Sequence, residues 1–281
     1  MKKTIAMLLA LVMTVSLLAG CGGKTQDDAA DGEKTLTVAL TGAPTHLDPH
    51  PQASTDSYRV VTQIFDRLVE LDADMNLVPV LAESWEVKDE TTTVFNLRKG
   101  VKFHDGNEMT AEDVKFSLER CIASPGVNYN YLIISEINII DEYTVEFKTS
   151  EPCSVLLQRL TLDAASILSK AAVEATDDFD ANPVGCGPFK FVSWDTTSGE
   201  VVLEAFDEYW EGRPAIDKLI FKTIPESINR TVALETKEAD IAYDLAATDF
   251  ASVESNPDLK LEKTASTTVW YLGMNIRDEI L

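Results

Sequence analysis

The sequence predicts an α/β fold of the mixed α+β kind. Short alternating segments, typical of half-buried strands, occur along the whole body of the chain, and segments with helical spacing of apolar residues lie between them. After Asn182-Pro183 the strand segments become more frequent, and no internal repeat is present. This mixture favours α/β or α+β over a β-sandwich or a helical bundle.

In the first half of the chain, strands are predicted at Leu36–Leu40, at Thr93–Leu97 and on both sides of Asp141-Glu142 between Ile137 and Lys148. Asp105-Gly106 is a turn signal. Thr110 and Asp113 resemble a capping box that opens a helix, and Pro152 is expected to begin another. The apolar faces predicted for the three helices of this half are Val60, Val61, Ile64, Phe65 and Leu68; Val114, Leu118, Cys121 and Ile122; and Val155, Leu156 and Leu160.

In the second half, Ile228–Leu234 is predicted to be helical. Gly185-Cys186-Gly187-Pro188 has no basic neighbour that would activate the thiol, so a tight turn where two backbones approach is favoured over a reactive cysteine. Strands are predicted at Phe189–Val192, Val201–Leu203, Leu219–Phe221, Asp240–Ala242 and Val269–Asn275.

The N-terminal segment has the pattern of a targeting sequence. Lys2 and Lys3 precede an apolar run from Ile5 to Leu18, which is shorter than the roughly 20 residues that span a bilayer. Leu18-Ala19-Gly20-Cys21 resembles the lipobox of bacterial lipoproteins, which implies that Cys21 receives a diacylglycerol. A short membrane anchor and an ordinary secretory cleavage site are the alternatives. Residues 21–34 lack apolar periodicity and are interpreted as a flexible tether.

Composition excludes several classes of function. The chain of 281 residues carries 24 Lys+Arg against 47 Asp+Glu, a formal net charge of −23, so nucleic acid is not expected as a partner. Three His make a multi-histidine metal site hard to build, and four Cys do not make a disulfide scaffold. Whether Cys121 and Cys153 pair is left open by the sequence.

No catalytic constellation is evident in the sequence. His46 and His50 lie at i and i+4, but Pro49 between them disfavours the helix that a metal pair would need, so a loop is the favoured interpretation. His104 has no partner for a triad, and neither a nucleophile elbow nor a phosphate loop is found. We therefore expect no enzymatic activity, no cofactor and no bound metal.

One long stretch carries a family resemblance. It reads AESWEV from Ala82, FNLRKGVKFHDG from Phe95 and MTAEDVKFS from Met109. This is similar to the signature of family 5 extracellular solute-binding proteins, the peptide- and nickel-type binding components of ABC importers. Further matches occur in the family's order at Leu47–His50, Gly185–Phe189, Tyr209-Trp210, Ile216–Lys218, Ala239–Ile241 and Tyr271–Asn275. The Gly185–Phe189 segment has Cys186 where the family has Thr.

The resemblance implies a periplasmic-binding-protein-like clamp of the dipeptide/oligopeptide-binding type, with its second lobe largely missing. The implied organisation is a lipoprotein signal peptide at 1–20, a tether at 21–34, a discontinuous first lobe at 35–52 plus 182–269, an inserted smaller domain at 53–181, and the start of the second lobe at 270–281. Since the lobe that closes the clamp would lie beyond Leu281, we expect this chain to bind oligopeptide poorly or not at all.

The implied function is binding: a substrate-binding lipoprotein captures oligopeptides or dipeptides outside the membrane and delivers them to a permease. A nickel-chelate receptor of the same family, a surface hydrolase and a chaperone-like or signalling receptor are the alternatives. Two segments would face the ligand, namely the loop after the first strand and the predicted last strand. For Trp270 and Tyr271 of that last strand, core packing is the alternative role. The residues expected at the ligand are Thr41, Gly42, Ala43, Thr45, His46, Trp270, Tyr271 and Asn275.

The partners implied are a small peptide ligand, the transmembrane permease subunits of an ABC importer, and membrane lipid through the Cys21 acyl anchor. A monomer is expected. The expected location is the cell envelope, lipid-anchored on the outer face of the cytoplasmic membrane or periplasmic.

Overall fold

The computed structural model describes residues 33–51 and 53–263. Its strands are β1 (Thr35–Leu40), β2 (Val69–Leu71), β3 (Leu77–Pro79), β4 (Ala82–Val87), β5 (Thr92–Leu97), β6 (Ile134–Asp141), β7 (Thr144–Thr149), β8 (Phe189–Asp195), β9 (Glu200–Ala205), β10 (Lys218–Thr223) and β11 (Ile241–Ala242). Its α-helices are α1 (Thr55–Ile64), α2 (Ala111–Ala123), α3 (Leu156–Arg159), α4 (Lys170–Glu174), α5 (Ser227–Glu235) and α6 (Phe250–Ser255). The prediction of a mixed α/β fold is confirmed.

A five-stranded sheet in the order β11-β1-β10-β9-β8 combines the start of the described chain with its last third. β1 is parallel to both of its neighbours, with Leu40 beside Thr223 of β10 and Ala39 beside Ala242 of β11. β9 and β8 continue the sheet in antiparallel pairing. The three parallel strands therefore end together at one edge of the sheet.

A second sheet is formed by the middle of the chain. Its order is β4-β5-β7-β6, all antiparallel, and α2 packs against β6 and β7. Phe95 and Phe147 fill its buried face with ring centroids 5.0 Å apart. β2 and β3 form a separate hairpin.

Most of the buried apolar residues of the two sheets belong to one continuous cluster. It contains Val38 and Leu40 of β1 together with Phe95 and Phe147 of the second sheet. Apolar burial on this scale is the main stabilising contribution to such a fold. The boundaries at 52/53 and 181/182 between a lobe and an inserted domain stay a prediction.

Most of the predicted elements form where their local pattern indicates. This holds in full for β1, β5, the β6–β7 pair, β8, β9, β10 and α5, whereas β11 covers only Ile241 and Ala242 of the predicted Asp240–Ala242. The capping box at α2 is present, with the Thr110 backbone N–H donating to the Asp113 carboxylate at 3.0 Å. Gly106 has a φ of +88°, as the Asp105-Gly106 turn requires. The predicted strand Val269–Asn275 and the N-terminal segment 1–32 lie outside the described residues.

The first predicted helix ends earlier than its pattern suggests. The apolar face runs to Leu68, but α1 ends at Ile64 and Phe65 is extended, with φ −125° and ψ 140°. The Ile64 carbonyl accepts the Gly187 N–H at 2.9 Å instead of an N–H in a further helical turn. Phe65 and Leu68 remain buried. A contact distant in sequence therefore terminates this helix.

The prediction of a helix beginning at Pro152 is wrong. α3 is a single turn from Leu156 to Arg159, and Val155 is exposed. The preceding residues remain bonded to the sheet, because Ser150 N donates to Ile133 O at 2.9 Å and Thr149 N donates to Thr91 O at 2.8 Å. Main-chain pairing to the sheet is thus favoured over the helical start that proline permits.

Candidate functional site

The candidate site lies where the three parallel strands end. The segments that follow β1, β10 and β11 begin at Thr41, Ile224 and Tyr243 and share one edge of the sheet. In open α/β sheets, ligands bind outside the carboxyl ends of parallel strands, because the loops there converge while the strands hold them rigidly. We call this edge, with the start of α1 that packs on it, the strand-end site.

The loop after β1 is held by the first turn of α1. Thr41 Oγ1 donates to Asp56 Oδ2 at 2.9 Å, and Ser57 Oγ accepts the backbone N–H groups of Thr45 and His46 at 2.9 and 3.2 Å. A side chain on Gly42 would lie 2.8 Å from Asp56 Oδ2. The loop therefore follows the helix closely, and Asp56 lies where the helix dipole favours a negative charge.

Arg59 joins α1 to the segment after β11. Its guanidinium pairs with Asp56 Oδ1 at 2.7 Å and with Asp244 Oδ2 at 2.5 Å, and it lies 4.3 Å from the centre of the Tyr243 ring. Tyr243 and Asp244 are exposed, whereas the arginine is largely covered. A cation over a tyrosine face is attracted by the ring quadrupole. The strand-end site thus presents an aromatic ring and a carboxylate on a fixed support.

His46 is held from the other side of the loop. Its Nδ1 lies 2.9 Å from Asp180 Oδ2, and Asp180 Oδ1 accepts the backbone N–H groups of Leu47 and Asp48 at 2.6 and 2.7 Å. One carboxylate therefore fixes three successive residues of the loop. His46 remains half-buried.

His50 belongs to a separate buried cluster. Arg120 of α2 pairs with both oxygens of Asp48, and its Nη1 lies 2.7 Å from His50 Nδ1, which must accept because a guanidinium only donates. Burial lowers the pKa of His50 to about 4. Burial alone would raise the pKa of Asp48, but the hydrogen bond and charge of Arg120 outweigh it and hold that pKa below its ordinary value. The two histidines therefore face different partners.

The possible metal ligands and the cysteine thiols of the described residues are the remaining candidates for a reactive site. Within the described part of the chain, no group of three or more His, Cys, Asp or Glu is arranged to hold a metal ion. Cys121, Cys153 and Cys186 are all free thiols, so the Cys121–Cys153 pair that the sequence left open is not formed. Burial raises the pKa of Cys121 to about 12 and that of Cys186 well above its ordinary value.

The structure brings together five of the residues expected at the ligand, namely Thr41, Gly42, Ala43, Thr45 and His46. Trp270, Tyr271, Asn275 and the lipidation residue Cys21 lie outside the described residues. Sequence reasoning missed Asp56, Arg59, Asp180, Tyr243 and Asp244. Asp56 and Arg59 carried one usable signal, since opposite charges at i and i+3 in a first helical turn are close in space.

Within residues 33–51 and 53–263, no helix combines the length and the apolar character that crossing a bilayer requires.

One protein family, several curated relatives and several solved structures match this chain. Residues 76–281 match the family described as bacterial extracellular solute-binding proteins, family 5 Middle. The dipeptide-binding protein of Escherichia coli (strain K12) is 32% identical over 277 residues, covering 88% of this chain and 52% of that protein. The glutathione-binding protein GsiB of Escherichia coli O1:K1 / APEC is also 32% identical over 277 residues, covering 96% of this chain and 52% of that protein.

Solved structures show the same fold. The periplasmic binding protein DppA from Helicobacter pylori, in complex with the peptide STSA, has a TM-score of 0.73 and 31% identity, covering 79% of this chain and 49% of that one. A nickel ABC transporter structure from Bacillus halodurans has a TM-score of 0.72 and 33% identity, covering 80% of this chain and 46% of that one. The chain spans about half the length of the curated relatives it matches.

These matches agree with the signature that begins at Ala82 and with the order of the motifs that follow it. The family model covers well over half of the chain, and the relatives exceed 30% identity over most of it. This chain belongs to family 5 of the bacterial extracellular solute-binding proteins.

Proposed function

We propose that this chain forms the first lobe of a solute-binding protein that captures dipeptides or oligopeptides outside the membrane and delivers them to the permease subunits of an ABC importer. The observation that carries the proposal is the strand-end site, where Arg59 holds the exposed Tyr243 and Asp244 beside the Thr41–His46 loop. A peptide offers N–H donors, carbonyl acceptors and apolar side chains, and this edge offers complementary groups. Relatives named for binding dipeptide and glutathione support the same ligand class.

Binding at this site would need no nucleophile and no general base. The loop after β1 supplies main-chain groups on a rigid support, and the aromatic ring of Tyr243 supplies apolar surface. Because a single wall buries only part of a ligand, we expect the 281-residue chain to bind di- to pentapeptides weakly, with a Kd on the order of 1 mM. Chemical-shift titration detects binding in this range.

The test is a peptide titration of the full 281-residue chain followed by NMR. We expect the amide resonances of Thr41–His46 and Tyr243–Ala246 to shift, and the shifts to be lost in Arg59→Met because Tyr243 and Asp244 lose their support. Arg159→Met is the matched control, since Arg159 of α3 bonds the Asn130 carbonyl at 2.8 Å and, among the described residues, has no bond to either loop of the strand-end site. Shifts confined to the second sheet, or none at all, would refute the proposal.

The same titration distinguishes the nickel-chelate alternative. Paramagnetic Ni²⁺ added without peptide would broaden the resonances of Thr41–His46 if His46 takes part in holding a metal chelate. Broadening there, with no shifts on adding peptide, would favour the nickel receptor over the peptide receptor.

We also propose that Cys21 carries the diacylglycerol that anchors the protein to the outer face of the cytoplasmic membrane. Two acyl chains anchor a protein durably, whereas one does not, and a net charge of −23 gives the surface no attraction of its own to anionic lipid. We expect Cys21→Ser to move the protein from the membrane fraction to the soluble fraction of fractionated cells. Cys153→Ser should leave it in the membrane, and retention of Cys21→Ser there would contradict the anchor.

A further inference from the structure

Arg230 of α5 is buried beneath the strand-end site. Only 3% of the residue is exposed. Its guanidinium donates to four main-chain carbonyl oxygens: Ile224 at 2.7 Å, Pro225 at 2.6 Å, Tyr243 at 3.0 Å and Asp244 at 2.8 Å. The first two carbonyls follow β10 and the last two follow β11. One side chain therefore holds the loops that follow β10 and β11, the two parallel strands that flank β1.

The buried charge of Arg230 is surrounded by main-chain carbonyl oxygens. A buried charge is normally paired with an opposite charge, because removing it from water costs much free energy. Among the described residues, the hydrogen-bond acceptors around Arg230 are main-chain carbonyls, and no carboxylate is among them. A planar guanidinium presents five donors in a fixed fork, so it can gather carbonyls from two segments at once.

One of the four residues that Arg230 holds has a strained backbone. Asp244 has a φ of +53°, in the left-handed region that costs free energy for any residue other than glycine. Its carbonyl accepts from Arg230, and its carboxylate pairs with Arg59 at 2.5 Å. Two residues further on, Ala246 N donates to Ser227 Oγ at 2.7 Å, at the start of the helix that carries Arg230. The strained turn is thus fixed at both of its ends.

We propose that Arg230 is the positioning residue of the strand-end site. Its guanidinium holds the loops after β10 and β11 in one arrangement. This arrangement keeps Asp244 in its left-handed conformation, with the Tyr243 ring and the Asp244 carboxylate at the strand-end edge of the sheet. The ligand role of that edge rests on the proposed function. The positioning role itself concerns the protein without ligand and is tested without one.

The test is amide hydrogen exchange of the full chain in Arg230→Ala and Arg230→Lys. In the alanine variant we expect exchange at Ile224, Tyr243 and Ala246 to become at least roughly tenfold faster, while amides of the second sheet keep their rates. Lysine has a compact ammonium with three donors, so we expect an intermediate effect. Arg159→Ala, which removes a carbonyl-bound arginine from α3, should leave these three amides unchanged.

Chemical rescue separates positioning from general support of the fold. Methylguanidinium, at a concentration too low to unfold the protein, should enter the space left in Arg230→Ala and restore slow exchange at the two loops, whereas sodium chloride of equal ionic strength should not. Unchanged exchange at the loops, or a uniform increase that includes the second sheet and is not rescued, would overturn the proposal. If Arg230→Ala does not fold, Arg230→Lys decides by the same local comparison.

A binding measurement keeps this inference distinct from the proposed function. In the peptide titration, Arg230→Lys is expected to weaken binding several-fold, in proportion to its faster loop exchange. If the wild-type chain shows no shifts with peptide, the proposed function fails, and the exchange and rescue results still decide the role of Arg230. If the wild type binds and Arg230→Lys binds equally despite faster loop exchange, the positioning role is overturned.

Discussion

Replacing Gly185 by alanine is expected to lower the free energy of unfolding by about 3 kcal/mol or more, among the largest effects of any single methyl group in this fold. A Cβ at Gly185 would lie 2.1 Å from the Ile64 carbonyl oxygen and 2.6 Å from Phe65 Cδ1. Neither neighbour can move freely, because the Ile64 carbonyl accepts the Gly187 N–H at 2.9 Å and Phe65 belongs to the buried cluster. The expected cost is therefore steric.

Gly100→Ala is the matched control for this prediction. A Cβ at Gly100 would meet nothing within 4 Å, but its φ of +75° makes alanine unfavourable by about 1 kcal/mol. Urea unfolding of both variants should therefore give a much lower midpoint for Gly185→Ala, with the same dependence on denaturant concentration. Equal midpoints would show that the Gly185 turn relaxes and that the close approach of the two backbones is not essential.

The Gly185 turn also shows how far sequence reasoning extends. Small residues flanking Cys186 predict a close backbone approach, and the structure confirms it, since His104 N donates to Gly185 O at 2.9 Å and Gly187 N donates to Ile64 O at 2.9 Å. The sequence did not identify those partners, which lie more than 80 residues earlier in the chain. A glycine pattern reports a local need for space, and only the tertiary fold supplies the neighbour.

The same distinction applies to the candidate site. The loop after β1 was predictable because β1 has a clear alternating pattern and the family motif follows it. Arg59 and Asp244 are 185 residues apart and meet only because β11 pairs in parallel with β1. Periodicity does not specify which strands are neighbours or in which register. Arg230 is a further case, because a single arginine in a short helix gives no sign that four carbonyls will surround it.

Replacing Asp66 by asparagine is expected to stabilise the protein at pH 8 and to have almost no effect at pH 4. Asp66 is 5% exposed, and its Oδ2 accepts the Trp210 Nε1–H at 2.7 Å. Burial is the main reason that the pKa of Asp66 is raised from the ordinary 3.8 to about 7, and its effect exceeds the opposing effect of the Trp210 hydrogen bond. The charge of Glu70 also raises this pKa, and the charge of Arg67 lowers it.

The direction of the pH dependence follows from this pKa. Since the folded protein holds the Asp66 proton more tightly than the unfolded chain does, the associated stability is fully present below about pH 4 and is lost as the pH rises through about 7. A carboxyl whose pKa moves from 3.8 to about 7 on folding accounts for a loss of about 4 kcal/mol. Asparagine never ionises, and its side-chain oxygen can still accept from Trp210.

The measurement is urea unfolding of Asp66→Asn and the wild type between pH 4 and pH 8. Burial lowers the pKa of both His50 and His104 to about 4, so these rings destabilise the fold as the pH falls from about 6.5, in the opposite direction to Asp66. The difference between variant and wild type at each pH removes that contribution, because both proteins share it. Asp178→Asn removes the same charge at an exposed position and should show a small difference at every pH. A difference for Asp66→Asn that stays constant from pH 4 to pH 8 would mean that this carboxyl does not gain a proton on folding. The growing advantage expected at higher pH would instead show that ionisation of the buried Asp66 carboxyl destabilises the fold, despite its hydrogen bond from Trp210.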